Sequence, residues 1–263
     1  MNYETLQLEI HGTIAVVSLH RPERMNTLGG SMKEDLRHVF MERLRNDTSI
    51  RAVVLTGSGE RAFCAGADIK ERASRSQSLP AYHAQQKATH QLFSAIESIE
   101  IPVIAAINGV ALGGGLELAL CADFRIAAEH AKLGLPEARI GALPAAGGTQ
   151  RLPRAIGAAW AKQLMFTCEH LSAEKALSIG LVNEVVPLSG LLPRAMELAQ
   201  QISNNAPLSI RFIKQAINQG LQVSLESGLD YERYAAAIVV SSEDRKEGMT
   251  AFVEKRAPQF RGV

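Results

Sequence analysis

Cysteine is scarce in this 263-residue chain: Cys64, Cys121 and Cys168 are odd in number, far apart and never in a CxxC pair. That pattern argues against a disulfide framework and against a zinc site, and leaves small buried hydrophobes in a reducing compartment. An excess of one charge is missing too. Lys+Arg number 28 and Asp+Glu 27, a formal net charge of +1, so no long-range field draws the chain to nucleic acid or to an anionic membrane. No apolar run reaches membrane-spanning length, and MNYETLQLEI carries acids where a signal peptide would carry a basic region and an apolar core. A cytoplasmic protein with no membrane partner is expected. Internal repeats and low-complexity linkers are lacking as well. So are the phosphate loop GxxxxGK[ST], the dinucleotide fingerprint GxGxxG and the nucleophile elbow GxSxG, which removes the best-marked phosphate and serine-hydrolase chemistries.

What is present, at 46% hydrophobic and 21% charged residues, is the composition of an ordinary globular protein with a large core. YETLQLEIHG alternates and IAVVSLH is short and β-branched, so both read as strands. Ser31 is placed to cap a helix through MKEDLRHVFMERLRND, whose Met32, Leu36, Val39, Phe40 and Leu44 share a face. IRAVVLTG and IPVIAAING read as buried strands stopped at Gly57 and Gly109, and FRIAAEHAKLG as a weaker one. Helical patterns between them give a βαβ signature, a sheet with helices on its faces. From about Ser189 the texture turns almost wholly helical, broken at Asn205–Ala206–Pro207 and at Gly220. This divides the chain into a 1–188 core and a 189–263 helical region of the same functional unit. The polar loop RASRSQSLP, Arg72 to Pro80, reads as a solvated connection or a flap.

ALGGGLELAL, from Ala111 to Leu120, sets three glycines and one charge inside an apolar run. The chain leaves a buried strand, crosses the glycines and starts a helix near Leu116. The first N–H groups of such a helix lack internal partners and can meet a developing negative charge. Glycines that merely allow tight packing explain the same letters. AVVLTGSGERAFCAGADIKE repeats the arrangement: small residues Ala65, Gly66 and Ala67 lead into a helix start, with Asp68 and Glu71 at capping-box spacing. Two such loops could offer one N–H each to a single oxygen, as an enolate requires.

Glu117, among Leu116, Leu118, Ala119 and Leu120, is either a carboxylate placed to favour its helix or a proton carrier in a desolvated cleft. Glu137 follows Pro136 at a second helix start, close to another glycine pair. Two carboxylates at one site would form an acid/base pair; their spacing in sequence does not show that they meet.

In order and spacing, FCAGADIKE, AAINGVALGGGLELAL and LPEARIGALPAAGGTQRLPRAIG closely resemble the enoyl-CoA hydratase/isomerase, or crotonase, family, with RPERMN near the start and EKRAPQF at the end also fitting. The resemblance covers essentially the whole chain. It implies an α/β fold, a spiral of repeated ββα units with a C-terminal helical region used in trimer assembly, often as a dimer of trimers. It implies that Ala67 and Gly114 supply the oxyanion-hole N–H groups for the thioester oxygen of an acyl-CoA. Glu117 and Glu137 fall on the two catalytic positions of true hydratases, the first to deprotonate the water that attacks C3 and the second to deliver the proton at C2. Ala65, Ala67, Asp68, Ile69, Lys70 and Gly114 would line the thioester passage, and Arg24 and, across a subunit boundary, Lys255 would meet the nucleotide end of CoA. No metal or redox cofactor is implied, since CoA is part of the substrate. The expected reaction is hydration of a 2-enoyl-CoA to a 3-hydroxyacyl-CoA in fatty-acid β-oxidation. GGTQRLPRAIG and AINQG resemble a branched-chain, 3-methylglutaconyl-CoA-like hydratase of leucine breakdown; RNA-binding and catalytically silent acyl-CoA-binding members are the further alternatives. One departure stands out. The family's commonest form is PGAGGTQ, whereas this chain has Ala145 in LPAAGGTQ, which puts in doubt any role that needs a positive φ there.

Overall fold

The computed structural model describes residues 3–73 and 78–263, so the centre of the Arg72–Pro80 loop, read above as a connection or flap, lies outside the described residues. Strands β1 (Leu6–His11) and β2 (Ile14–Leu19) form an antiparallel hairpin turning at Gly12, whose φ is 61°. After a short 3-10 turn, α1 (Met32–Arg37) runs through a π turn at His38–Arg43 into α2 (Leu44–Asn46). All five residues of the expected apolar face are buried. Ser31, however, makes no cap: its hydroxyl donates to Asp35 and Glu4.

From there each long strand is followed by a short one. β3 (Ala52–Gly57) leads to β4 (Ala62–Cys64), then α3 (Ile69–Ala73) and α4 (Leu79–Ser98). β5 (Val103–Ile107) leads to β6 (Val110–Leu112) and α5 (Gly114–Ala119). β7 (Phe124–Ala128) leads to β8 (Lys132–Gly134), a 3-10 turn at Glu137–Ile140, α6 (Gly148–Ile156) and α7 (Ala158–Thr167). β9 (Leu171–Ser172), α8 (Ala173–Ser178) and β10 (Glu184–Val186) complete the series. The longer strands, with the three-residue β10 at the edge, join in the order β1-β2-β3-β5-β7-β10, and the other short ones in the order β4-β6-β8-β9.

This is the ββα spiral that the family resemblance implies, and it corrects the simpler expectation of one sheet flanked by helices. The physical reason lies in the glycines that stop the long strands. A Cβ at Gly57 or Gly109 would collide with the backbone of residues 61–63, so only glycine lets the chain bend this tightly from one sheet into the other.

The long sheet is parallel from β2 onward and covered on both faces, which is why its strands read as unbroken apolar runs. One face packs on α1, the π turn after it and α4 through Leu36, Phe40, Leu92 and Phe93. The other packs on α9 (Leu188–Ser203), whose Leu191, Ala195 and Ala199 meet Ile14, Val54, Ile104 and Ile126. Helices α10 (Pro207–Gly220), α11 (Leu225–Val240) and α12 (Glu243–Glu254) follow. They are tied back by Lys214, which pairs with Asp123 at 2.9 Å, and by Arg51, which donates to the Ser203 and Phe260 carbonyls. Among the described residues no helix is long and apolar enough to cross a membrane.

Candidate active site

Two chain reversals bring the small-residue loops together. At the end of β4, Gly66 adopts φ 92°, and its carbonyl accepts the Leu28 N–H at 2.8 Å. At the end of β6, Gly113 adopts φ 52° and donates to the Gly134 carbonyl at 2.9 Å. Gly113 occupies the N-cap position, so α5 begins at Gly114, two residues earlier than Leu116. The Gly114 N–H is thereby left in the unpaired first turn. Neither it nor the Ala67 N–H has a partner among the described residues. The two loops touch: a Cβ at Gly66 would lie 3.2 Å from the Gly114 nitrogen, and one at Gly114 would lie 3.8 Å from the Ala67 nitrogen.

Glu117, one turn into α5, is 2% exposed. Its Oε1 accepts the Ala146 N–H at 2.7 Å and the Gly148 N–H at 2.8 Å, which leaves Oε2 outside those two bonds. Burial raises its pKa, while those two N–H groups, Arg151 and His90 work against the rise. Glu137 opens its 3-10 turn with Oε2 buried and unpartnered among the described residues. Burial, reinforced by the Glu117 charge and opposed by its own backbone N–H and the Arg72 charge, pushes its carboxyl up to about 7. Glu137 Oε1 packs over Gly113, where a Cβ would come within 2.9 Å. The question left open by sequence spacing is thereby answered. Both carboxylates, with Ala65, Ala67, Ile69 and Gly114, line one cavity of about 350 Å³.

The remaining expected residues lie elsewhere. Asp68 is 7% exposed, outside the cavity lining, and faces Thr27 and Arg21 of the preceding segment. Burial opposes its charge, yet the Glu71 N–H, Arg21, Arg24 and Thr27 together hold the carboxyl below its ordinary range. Half of the capping box forms; the Glu71 carboxylate accepts instead from the Gly30 N–H and Arg21. Lys70 and Arg24 are exposed and outside the cavity lining, and Lys255 ends α12 in the left-handed conformation. All three cysteines are buried and free; burial pushes Cys64 and Cys121 up to about 12, beyond thiolate chemistry.

Sequence reasoning missed the supports. Asn26, fully buried at φ 53°, and Asn108 both donate to the Ala62 carbonyl, clamping the strand ends beneath the two loops. Its signal was the MN of RPERMN, an asparagine at a turn. The donors that hold Glu117 are Ala146 and Gly148, flanking Gly147 at φ 111°, and the glycine pair was their only trace. Ala145 does not take a positive φ, so alanine fits where the family usually has glycine. Its carbonyl accepts from His90 Nε2 at 2.6 Å, which requires the proton on that nitrogen.

Comparison with known proteins shows the family. Residues 9–263 match the family described as enoyl-CoA hydratase/isomerase. A short-chain-enoyl-CoA hydratase of Clostridium acetobutylicum is 43% identical, with 97% of each chain covered. A crotonyl-CoA hydratase of Syntrophomonas wolfei is 42% identical over 99% of each. The crystal structure of an enoyl-CoA hydratase from Bacillus anthracis superposes with a TM-score of 0.95 at 42% identity, covering 99% of this chain and 100% of that one.

Proposed function

The chain belongs to the enoyl-CoA hydratase/isomerase family and is an enoyl-CoA hydratase, and from that premise we propose that Glu117, Glu137 and the N–H groups of Ala67 and Gly114 carry its reaction. One observation supports this above all: a buried carboxylate, a half-buried one and two N–H groups without partners among the described residues converge on a single cavity.

The thioester oxygen of a 2-enoyl-CoA accepts from the Ala67 and Gly114 N–H groups. Glu117, whose ionised form the two donors on Oε1 favour against the effect of burial, takes a proton from water through Oε2, and the hydroxide bonds to C3. The electron pair of the 2,3-double bond moves toward the thioester oxygen, where the N–H pair stabilises the enolate. Glu137, with a pKa of about 7, still holds a proton near neutrality and delivers it to C2. Water has then been added across the bond. The proton on Glu117 returns to Glu137 through the next water, which restores both groups.

CoA enters as part of the substrate and no other cofactor takes part. Arg24, Lys70 and, from a neighbouring subunit, Lys255 are proposed to meet its nucleotide end. Helices α10–α12 are proposed to assemble the chain into a trimer, or two trimers, in the cytoplasm, working in β-oxidation. The 189–263 segment thus belongs to the same working unit as residues 1–188.

The purified protein should bleach the conjugated-thioester absorbance of crotonyl-CoA. Glu117→Gln and Glu137→Gln should each lower kcat by about 10² or more while calorimetric affinity for the thioester stays within a few-fold. Binding without hydration by the unmutated chain would mark a silent acyl-CoA binder and sink this assignment.

A further inference from the structure

Glu117 is held by two N–H groups, and one of them is braced from a helix that the hydration chemistry leaves unused. The Ala146 N–H, 2.7 Å from Glu117 Oε1, belongs to the same peptide unit as the Ala145 carbonyl. That carbonyl accepts from His90 Nε2 at 2.6 Å and from Gln86 Nε2 at 3.5 Å. His90 and Gln86 stand one turn apart on α4, and Gln86 Nε2 also donates to the Tyr82 hydroxyl at 3.2 Å. A continuous run of hydrogen bonds thus leads from α4 through a single peptide group to the carboxylate.

The two donors on Oε1 differ in what fixes them. The Gly148 N–H shares its peptide with the Gly147 carbonyl, which α6 itself occupies through the Gln150 and Arg151 N–H groups. The Ala145–Ala146 peptide lies in a turn outside any helix or strand, and among the described residues no backbone N–H bonds its carbonyl. Side chains of α4 do that instead. A donor on a carbonyl oxygen polarises the peptide and strengthens its N–H by about 10–30%. It also fixes the peptide plane, and with it the direction from which Oε1 is gripped. His90 lies outside every motif that carries the family resemblance, so that resemblance assigns it no role.

We propose that His90 is a positioning residue for the hydration: by gripping the Ala145 carbonyl it keeps the Ala146 N–H on Oε1 and so leaves Oε2 of Glu117 turned to the water. This rests on Glu117 being the base and adds the residue that aims it.

Among the described residues, the titratable groups facing Glu117 come from each element packed around it. Arg151 approaches from α6, paired with Glu97 of α4 at 2.7 Å, and His90 approaches from α4 as well. Glu137 faces it from the 3-10 turn, and Cys121, on α5, donates to the Glu117 carbonyl at 3.2 Å. His90 keeps a hydrogen on Nε2 both as the neutral tautomer that the bond requires and as the protonated ring. The bond therefore persists as pH falls, and substitution is what removes it. His90 is exposed, so its replacement opens no cavity in the core.

The test measures kcat and kcat/KM for crotonyl-CoA against pH in His90→Leu, which lacks the donor, and in His90→Gln, which keeps one at nearly the same reach. In His90→Leu the acid limb of kcat/KM, where Glu117 loses its charge, should move up by about half a pH unit, because the weakened N–H favours the carboxylate less. Its kcat should fall about tenfold while KM changes less than about twofold, since the thioester oxygen still meets Ala67 and Gly114. The alkaline limb, set by Glu137, should stay in place. His90→Gln should restore most of the acid limb and of kcat. An acid limb that does not move in His90→Leu overturns the proposal whatever kcat does, because a packing role alone lowers activity equally at every pH. Equal shifts in both variants overturn it too, since they trace the effect to the charge of the ring and not to its hydrogen bond. Glu117→Gln tests the premise separately. If that variant still hydrates crotonyl-CoA, the base assignment falls and this proposal with it; if it is inactive while the His90→Leu limb is unmoved, the proposal alone falls.

Discussion

Glu117 and Glu137 differ in how their oxygens are held, and that difference separates their roles. Glu117 has two N–H groups on one oxygen, whereas Glu137 has a buried oxygen without a partner. The second arrangement makes the proton on Glu137 part of the folded state. Its pKa rises from 4.5 to about 7 through burial first, with the Glu117 charge adding to it. The folded chain holds this proton more tightly than the unfolded chain does. The stabilising contribution is therefore complete below about 4.5 and lost as pH rises through about 7. Glu137→Gln cannot ionise, so it should melt above the wild type at pH 8, with the difference shrinking toward zero at pH 5. Thermal melts across that range check it; a constant offset would mean that the carboxyl is not desolvated. Wild-type kcat should fall above about pH 7, as the group that delivers the proton empties. The desolvation of Glu117 was legible in its apolar neighbours, whereas the shift of Glu137 was not. Proline and small residues beside Glu137 signal a turn, but the neighbours it meets, Gly113 and Glu117, come from the start of α5, and spacing in sequence does not record that meeting.

At the scale of elements, what was legible was local. The face of α1 and α2 follows from side-chain period alone, and β2, β3 and β5 follow from short β-branched runs bounded by turns. Contacts between distant elements were not legible. Ser31 has the right chemistry to cap α1, but Asp35 and Glu4 take its hydroxyl. The second sheet was hidden because its strands are two or three residues long, below the length at which alternation can be counted. The loop from Gly141 to Gly148 shows both sides. Its glycines mark a turn, whereas the clamp on it comes from α4, where Gln86 and His90 grip the Ala145 carbonyl, and from Arg151, which donates to Ala146 and pairs with Glu97. Since the carbonyl does the bonding and φ is not positive, alanine at this position is compatible with activity. Ala145→Gly should keep kcat/KM within about twofold while lowering stability by roughly 0.4–1 kcal/mol through the freer unfolded chain. Urea unfolding and the crotonyl-CoA assay decide it; a clear gain in kcat would show that alanine strains the loop after all.

Taken whole, the protomer is tightly finished on one side and unfinished on the other. The long sheet is covered on both faces, and α10 is moored to the core by Lys214. Yet Ile213, Ile217 and Leu221 repeat at four-residue intervals along α10 and its end with exposures of 56%, 57% and 75%. Leu225 and Leu229 of α11 and Phe252 of α12 add further exposed apolar surface. A stripe with helical period on an exposed face is the pattern that a partner surface covers. The proposed trimer supplies that cover, and through Lys255 it would also join the helical region of one subunit to the CoA of another. Ile217→Asp places a charge in the middle of the stripe, where burial against a partner would strand it. Sedimentation velocity should then show wild-type assemblies giving way to monomers. If Lys255 completes the neighbour's CoA site, KM for crotonyl-CoA should rise about tenfold with dissociation while kcat changes less, because Glu117, Glu137 and both N–H donors belong to one chain. A wild-type monomer would remove the assembly proposal. A dissociated variant with unchanged KM would instead confine the whole CoA site to a single protomer.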